Sequence, residues 1–304
     1  MATAPSTTTR TIFGGGARRK MVGRMGPWQL TQLLAEGALS RVYLARPADS
    51  PDSAATYAIK ALRREWWQDA TAIETMRREA WVGRQASHPN LVSVLGAQVS
   101  QPPFYVALPR LVGESLSSAL ARGVRPTLPQ TLWIARQVCQ ALDALNQQAG
   151  VIHADVKPSN IFLSPDGHAT LLDLGFCQTH SEAKSWAARP VIGTLNYIAP
   201  EMVTSACSAD RRSDLYSLGA TMYELLSGRP PFLAEGPAEL IALHRQAKPE
   251  CIRSAAPGTP KAVASLIHRL LAKDPLRRPN SPAETADELA RLEIACFAYH
   301  QASA

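Results

Sequence analysis

The sequence predicts an α+β protein in which a small, antiparallel β-rich N-terminal lobe with one key helix precedes a larger α-helical lobe. Segments 28–36, 41–46 and 55–62 are short and partly alternate apolar with polar residues, and turn-rich stretches separate them. Such runs are typical of strands in an antiparallel sheet. Residues 69–86 then show helical spacing, and after about residue 112 the pattern is mainly helical.

Two more strand-like runs, around 91–99 and 103–108, complete the predicted β-rich lobe. Between the second and third strands, the stretch Pro47–Ser53 is rich in Pro, Asp and Ser and predicts a loop. The lobe therefore combines five short strands with one helix.

The second lobe is predicted to be built from helices with apolar stripes. Ile134, Val138 and Leu145 recur at helical spacing, and Gly150 is a suitable helix end. The predicted helices cover Thr131–Gln148, Asp214–Ser227, 237–247, 260–272 and 282–296.

The predicted domain boundaries follow from these patterns. We expect one domain over 27–296, with lobes at 27–109 and 110–296, and a short tail over 297–304. Residues 1–26 are rich in Thr, Gly, Ala and Arg with almost no apolar periodicity, which predicts a flexible basic leader.

Composition narrows the class of protein. The chain has 304 residues, 46% of them hydrophobic and 19% charged, as in a soluble globular protein with a sizeable core. We expect no membrane span and no secretory signal, because no apolar run is long enough. The five cysteines are scattered and form no C-x-x-C pair, which argues against a disulfide framework or a zinc site and favours a cytoplasmic location.

The charge balance leaves two interpretations open. The formal net charge is +7, and part of the excess lies in the leader. A solvated basic tail is the favoured interpretation. A patch that attracts nucleic acid, anionic lipid or acidic protein is the alternative, but no aromatic residues alternate with these charges.

Three segments carry the chemistry, and they occur in one order along the chain. The first is Tyr57-Ala58-Ile59-Lys60, within the predicted strand 55–62. The second is His153-Ala154-Asp155-Val156-Lys157-Pro158-Ser159-Asn160, which follows a predicted helix. The third is Leu171-Leu172-Asp173-Leu174-Gly175, whose Asp173 lies 13 residues after Asn160. They resemble the V-A-I-K strand, the H-R-D-x-x-x-x-N catalytic loop and the D-F-G segment of protein kinases.

This resemblance implies a role for each polar residue. Asp155 is expected to act as the catalytic base, Lys157 to lie near the γ-phosphate as in Ser/Thr-specific members, and Asn160 and Asp173 to bind Mg²⁺. Lys60 is expected to hold the α- and β-phosphates of ATP and to pair with a carboxylate on the first helix. Glu79 is the predicted partner, with Glu74 as the second choice.

The resemblance also implies the ATP-binding residues. Leu34 to Val42 resembles the glycine-rich loop G-x-G-x-x-G-x-V, but Gly37 alone keeps its glycine, since Ala35 and Ser40 occupy the outer positions. The residues expected to line this part of the site are Leu34, Ala35, Glu36, Gly37, Ala38, Leu39, Ser40, Arg41 and Val42.

Adenine is expected to contact the segment that resembles the kinase hinge, Tyr105–Leu111. Val42 and Ala58 would cover the ring and Leu108 would line the back of the pocket. Pro109 lacks an N–H but keeps its carbonyl, and the amide of Leu111 remains available, so the proline is compatible with ATP binding.

Three later segments resemble structural motifs of the same family: Gly193–Glu201, which contains A-P-E; Asp214–Gly219; and Lys273–Pro279. The first is expected to place Thr194 in the activation segment, beside the protein substrate. Asp214 is expected to brace the catalytic loop, and Arg278 to pair with Glu201.

Two departures from the family pattern stand out. Ala154 replaces the catalytic-loop arginine, which in many members gathers a phosphorylated activation loop. Gly83 lies four residues past Glu79, where the family usually has an apolar residue, and Trp81 or Val82 could compensate for it.

The sequence is thus identified as resembling bacterial, eukaryotic-like Ser/Thr kinases that use ATP and about two Mg²⁺. A protein with a Ser or Thr acceptor is the expected partner. A pseudokinase scaffold on the same fold is the alternative, suggested by the altered loop, Ala154 and Gly83. A nucleic-acid-binding protein has no supporting recognition motif.

Overall fold

The computed structural model describes residues 10–11, 23–179, 182, 195–203 and 209–302. The chain forms two compact units, each with its own core. The first unit comprises Met1–Ser87, Val92–Val112 and Asp173–Phe176, and the second comprises His88–Leu91, Gly113–Leu172 and Cys177–Ala304.

An antiparallel sheet forms most of the first unit, as predicted. Its strand order is β1-β3-β4-β5-β7-β6, and β2 also pairs with β3. The strands are β1 (Arg10–Thr11), β2 (Gly23–Met25), β3 (Trp28–Glu36), β4 (Ser40–Pro47), β5 (Tyr57–Leu62), β6 (Gly96–Gln98) and β7 (Tyr105–Pro109).

The two faces of the sheet have different neighbours because side chains alternate along each strand. Ile59 and Ala61 of β5 point to a core that includes Leu30 and Tyr105. On the other face, Leu62 packs in a second cluster with residues of the helix described next.

One long helix, α1 (Ala70–Gln85), belongs to the first unit, close to the predicted 69–86. It begins where the Asp69 side chain accepts a hydrogen bond from Ala72 N at 2.7 Å, which caps the helix. Ala72 and Met76 are buried and pack with Leu62 of β5 and with Phe104. The helix thus presents one apolar side to the sheet.

Three parts of the chain have secondary structure that the periodicity of the sequence does not indicate. The run 91–99 is a strand only over Gly96–Gln98, because Leu91 instead forms an isolated bridge with Leu171 in the second unit. The stretch 1–26 contributes β1 and β2, both paired with β3. The last helix extends to Ala302, past the predicted start of the tail, because no glycine or proline follows Cys296 before that point.

The second unit is mainly helical, which confirms the α+β prediction. Its helices are α2 (Leu116–Ala121), α3 (Leu128–Ala149), α4 (Arg211–Ser227), α5 (Pro237–Gln246), α6 (Ile252–Ala255), α7 (Lys261–Leu270) and α8 (Pro282–Ala302). Short antiparallel pairs accompany them: β8 (Glu114–Ser115) with β10 (Ile161–Leu163), β10 with β11 (Ala169–Leu171), and β9 (Val151–Ile152) with β12 (Gln178–Thr179).

Helix α4 lies in the centre of the second unit. Most of its side chains are buried, including Tyr216 and Tyr223. Gly219 permits close packing, since a Cβ there would lie 2.6 Å from Leu270 Cβ. Asp210 caps the start of the helix, and Gly228 ends it at φ 83°. This buried helix supports the loops described below.

In the part of the chain that the structure describes, no helix has the length and apolar character needed to cross a membrane.

Candidate active site

Lys60 lies at the centre of a charged cluster in the first unit. Its Nζ is 2.7 Å from Glu79 Oε2 on α1 and 2.8 Å from Asp173 Oδ1. Glu79 is buried, whereas the side chains of Lys60 and Asp173 are 13% and 28% exposed. The structure therefore brings together a strand lysine, a helix glutamate and the aspartate of the Asp-Leu-Gly segment.

The charges of this cluster depend on one another. Burial disfavours the ammonium of Lys60, but the carboxylates of Asp173 and Glu79 outweigh it and raise the lysine pKa. Burial also raises the pKa of Glu79, against the opposing effect of Lys60. Because Glu79 Oε1 has no hydrogen-bond donor among the described residues, the charge of Glu79 depends on Lys60.

The second choice for the lysine partner, Glu74, lies elsewhere on α1. Its side chain is 57% exposed and contacts Arg78 at 3.5 Å, one helical turn away. Glu74 and Glu79 are five residues apart and so project from different sides of the helix. Glu79 is thus the residue on the inner face.

The backbone around Asp173 has an unusual conformation. Asp173 has φ 64°, in the left-handed region that few non-glycine residues adopt. Two residues later, a Cβ on Gly175 would lie 2.6 Å from Thr75 Cγ2 and 3.0 Å from Thr75 O on α1. The glycine is therefore required by close packing against the helix that carries Glu79.

Strand register places the residues expected to contact adenine on the same face of the sheet as Lys60. Val42 pairs directly with Lys60, and Ala58, two residues before Lys60, pairs with Leu108. Residues directly opposite in an antiparallel pair share a face. This face therefore carries one ammonium group beside three apolar side chains.

The segment Leu34–Val42 forms the end of β3, the three-residue β3–β4 turn (residues 37–39) and the start of β4. Gly37 N donates to Ser40 O at 2.8 Å, which closes the turn. Gly37 is not among the glycines with positive φ, and a Cβ there would lie 3.5 Å from Ser40 O, an ordinary contact. Leu34 and Arg41 are half-buried parts of the two strands.

The hinge-like segment leaves β7 at its C-terminal end. Leu108 and Pro109 are half-buried and pair with Ala58 and Tyr57. Arg110 N donates to Thr56 O at 3.0 Å, and Leu111 follows directly, also half-buried. The segment expected to bind adenine therefore begins in β7, which pairs with the strand that carries Lys60.

Asp155, Lys157 and Asn160 form a second polar cluster, in the second unit. Lys157 Nζ and Asn160 Nδ2 each lie 2.8 Å from Asp155 Oδ2. Asn160 Nδ2 also donates to the backbone carbonyl of Asp155 at 2.8 Å. These contacts fix the orientation of the carboxylate and direct the amide N–H groups of Asn160 towards Asp155.

Asp214, at the start of α4, supports this loop from below, as expected from the sequence. Its two carboxylate oxygens accept hydrogen bonds from His153 N and Ala154 N, both at 2.7 Å. Burial raises the pKa of Asp214, and His153 and the two N–H groups oppose that effect. Ala154 itself has φ 64°, so the buried carboxylate holds a strained backbone in place.

A buried ion pair, Arg278 with Glu201, contacts the start of α4. Arg278 Nη1 and Nη2 contact Glu201 Oε1 and Oε2 at 2.6 and 2.8 Å, a bidentate arrangement. Ser213 also donates to Glu201 at 2.7 Å. Thr194, predicted for the activation segment, lies outside the described residues.

The space beside Gly83 is filled by a residue that the sequence reasoning missed. A Cβ on Gly83 would lie 2.2 Å from Val94 Cγ2, so Val94 occupies the volume of the absent side chain. Of the two suggested substitutes, Trp81 is 44% exposed and Val82 is buried, and neither is among the atoms nearest to that Cβ position. No local pattern signals a contact between residues eleven positions apart.

Comparison with known proteins identifies the class that this fold and these clusters define. The family model for the protein kinase domain matches residues 28–290. The chain therefore belongs to the protein kinase family, and its β-rich and helical units are those of the two-lobed kinase fold.

The relatives narrow the class further. Over 274 residues the chain is 31% identical to the serine/threonine-protein kinase PknH of Mycobacterium bovis, covering 89% of this chain and 45% of that protein. It is 33% identical over 282 residues to the serine/threonine-protein kinase pkn2 of Myxococcus xanthus, covering 90% of this chain and 33% of that protein. The chain spans less than half the length of these curated relatives.

The family uses ATP with Mg²⁺, and the residues present fit that metal. Asp173 supplies a carboxylate, and because the Asn160 N–H groups are directed to Asp155, its amide oxygen is the atom left for a cation. No group of three or more His, Cys, Asp or Glu suited to a metal occurs among the described residues.

Proposed function

We propose that this chain is a protein kinase that transfers the γ-phosphate of ATP to serine or threonine hydroxyls of proteins. The carrying observation is the Lys60 ammonium held at 2.7 and 2.8 Å by the carboxylates of Glu79 and Asp173. A largely buried lysine beside one buried and one partly exposed carboxylate is suited to a ligand that brings both phosphate and a cation.

In the first unit, Lys60 binds the α- and β-phosphates, and Glu79 holds the lysine in place. Val42, Ala58 and Leu108 form the apolar surface for adenine on the same face of the sheet. Asp173 would be a ligand of Mg²⁺. When bound, the cation neutralises charge on the transferring phosphate.

In the second unit, Asp155 accepts the proton of the substrate hydroxyl. The hydroxyl oxygen forms a bond to the γ-phosphorus while the bond from that phosphorus to ADP breaks. Lys157 and Asn160 hold the carboxylate through Oδ2, so its orientation is set before the substrate arrives. Lys157 would also place a positive charge close to the transferring group, and Asn160 would be the second protein ligand of Mg²⁺.

A protein acceptor, rather than a small molecule, is supported by the segment Gly193–Glu201, which resembles the corresponding part of Ser/Thr kinases. The proposed catalytic domain spans 27–296, with Thr194 beside the substrate. The scattered cysteines and the absence of a C-x-x-C pair support a reducing, cytoplasmic environment.

Ala154 supports a proposal about regulation. Because the arginine that gathers a phosphorylated loop is absent, we expect activity without phosphorylation of the activation loop. Phosphatase-treated protein should retain its rate. Loss of activity that is restored by a phosphate on Thr179, Ser181 or Ser185 would contradict this, although the two serines lie outside the described residues.

The experiment that tests the main proposal is transfer of ³²P from ATP with Mg²⁺ to the chain itself and to a generic basic protein. Asp155→Asn, which keeps the shape of the side chain but removes the base, should lower kcat about 10²–10⁴-fold. The proposal is supported if the unaltered chain incorporates ³²P on Ser or Thr and Asp155→Asn does not. Nucleotide binding without any transfer by the unaltered chain would instead favour the pseudokinase alternative.

A further inference from the structure

The β3–β4 turn is bonded to the segment that follows β5. Gly37 O and Ala38 O accept hydrogen bonds from Arg63 Nη1 at 3.2 and 3.4 Å. Ala38 O also accepts one from Trp66 Nε1 at 3.0 Å, and Leu39 O accepts one from Arg63 N at 2.9 Å. All three carbonyl groups of the turn are therefore bonded by only two residues.

Arg63 is itself held by carboxylates. Its Nη2 lies 2.5 Å from Glu65 Oε1, and its Nη1 lies 4.0 Å from Glu36 Oε1 at the end of β3. Glu36 also accepts a hydrogen bond from Arg41 at 2.8 Å. The guanidinium group is thus fixed on both sides, so it holds the turn from a defined position.

Apolar contacts connect the same turn to α1. Leu39 and Trp66 pack against a cluster that contains Leu62 and the α1 residues Ala72 and Met76. Since α1 also carries Glu79, the position of the turn is linked through the core to the helix that orients Lys60.

These contacts determine which backbone groups the turn can present to a ligand. Phosphate oxygens are bound by backbone N–H groups and repelled by carbonyl oxygens. With all three turn carbonyls engaged by Arg63 and Trp66, none of these peptide groups can rotate its oxygen towards a phosphate without losing a hydrogen bond. Peptide groups beside glycine rotate easily, and Gly37 is the one glycine that this turn keeps.

We propose that Arg63 and Trp66 are positioning residues that fix the β3–β4 turn for the phosphates of the nucleotide. Their hydrogen bonds hold the backbone of a turn in which Ala35 and Ser40 stand where the family pattern has glycines. This inference rests on the proposed function, because it requires that the turn covers ATP.

The test is nucleotide affinity in two variants with matched controls. Arg63→Met and Trp66→Phe keep most of the packing but remove the donors. Trp67→Phe removes an indole N–H that bonds Leu62 O at 3.0 Å instead, and Arg46→Met removes a guanidinium that bonds Ser53 O at 3.4 Å. The Kd of a fluorescent ATP analogue with Mg²⁺ is measured for all of them.

We expect the Kd and the KM for ATP to rise about five- to tenfold in each test variant, since each loses one or two hydrogen bonds. At saturating ATP, kcat should change by less than about twofold, because the reacting groups are untouched. Hydrogen exchange of the amides in the turn should become faster, and Arg63→Lys should recover part of the affinity. The controls should match the unaltered protein in all these measurements.

Two results would overturn the inference. If the unaltered chain binds nucleotide but the test variants differ no more than Trp67→Phe and Arg46→Met do, Arg63 and Trp66 have no positioning role. If the unaltered chain binds no nucleotide, the proposed function fails and the positioning role fails with it.

Discussion

The β3–β4 turn of the first unit and the catalytic loop of the second unit are stabilised in opposite ways. The turn departs from the family pattern, has ordinary backbone angles at Gly37, and is held from outside by Arg63 and Trp66. The catalytic loop keeps most of the pattern, contains a strained residue at Ala154, and is held by the buried carboxylate of Asp214.

This difference shows two physical solutions to the same requirement. A loop that must hold one geometry can be strained and held by a buried carboxylate, or it can be relaxed and held by hydrogen bonds from residues of a neighbouring segment. The first solution leaves a local sequence motif. The second depends on contacts from residues that no motif records.

The largest effect should come from removing the buried carboxylate. Asp214→Asn replaces one acceptor by an amide N–H group that faces a backbone N–H of His153 or Ala154. We expect a loss of about 2–4 kcal/mol of unfolding free energy, because a buried donor loses its charged partner. Chemical denaturation measures the loss. Unfolding like that of the unaltered protein would show that the carboxylate contributes little.

A smaller effect should follow from filling the space beside Gly83 in the first unit. Gly83→Leu should destabilise the protein by about 1–3 kcal/mol through overpacking against Val94. Adding Val94→Ala should recover much of this loss, and a double-mutant cycle measures the coupling. Additive effects of the two changes would contradict the idea that these positions share one volume.

Relief of strain at the catalytic loop should have a modest effect of opposite sign. Ala154→Gly should lower the free energy of the folded state by up to about 1 kcal/mol, because the strain at φ 64° is relieved. The greater conformational freedom of the unfolded chain should cancel part of this gain. Thermal unfolding measures the balance. A destabilisation as large as that expected for Asp214→Asn would show that the left-handed conformation is not strained.

The smallest effect is expected at Gly37. An alanine there meets Ser40 O at an ordinary 3.5 Å and needs no unusual φ. Gly37→Ala should therefore change the unfolding free energy by less than about 0.5 kcal/mol. A large loss of stability would mean that the turn depends on glycine after all and would weaken the contrast between the two loops.

The sequence predicted those parts of the molecule whose signal is local. The strands β3 to β5 and helix α1 follow from periodicity. The polar motifs, and the choice of Glu79 over Glu74, follow from the resemblance of local segments to those of protein kinases. The partial loss of the 91–99 strand was missed because Leu91 pairs with a distant residue, Leu171.

The contacts that replace missing family residues could not be predicted for the same reason. Val94 fills the space beside Gly83 from another segment, and Arg63 and Trp66 reach the β3–β4 turn from beyond β5. Each depends on three-dimensional proximity. Their residue types are common, so nothing in the letters distinguishes them from ordinary core or surface residues.

The fit of Val94 against Gly83 also constrains how this sequence can change over generations. A larger residue at position 83 cannot be accepted while Val94 is present, since its Cβ would lie 2.2 Å from Cγ2. A smaller residue at position 94, if it came first, would leave a cavity beside the glycine. Each single change therefore passes through a less stable protein, so positions 83 and 94 are expected to change together.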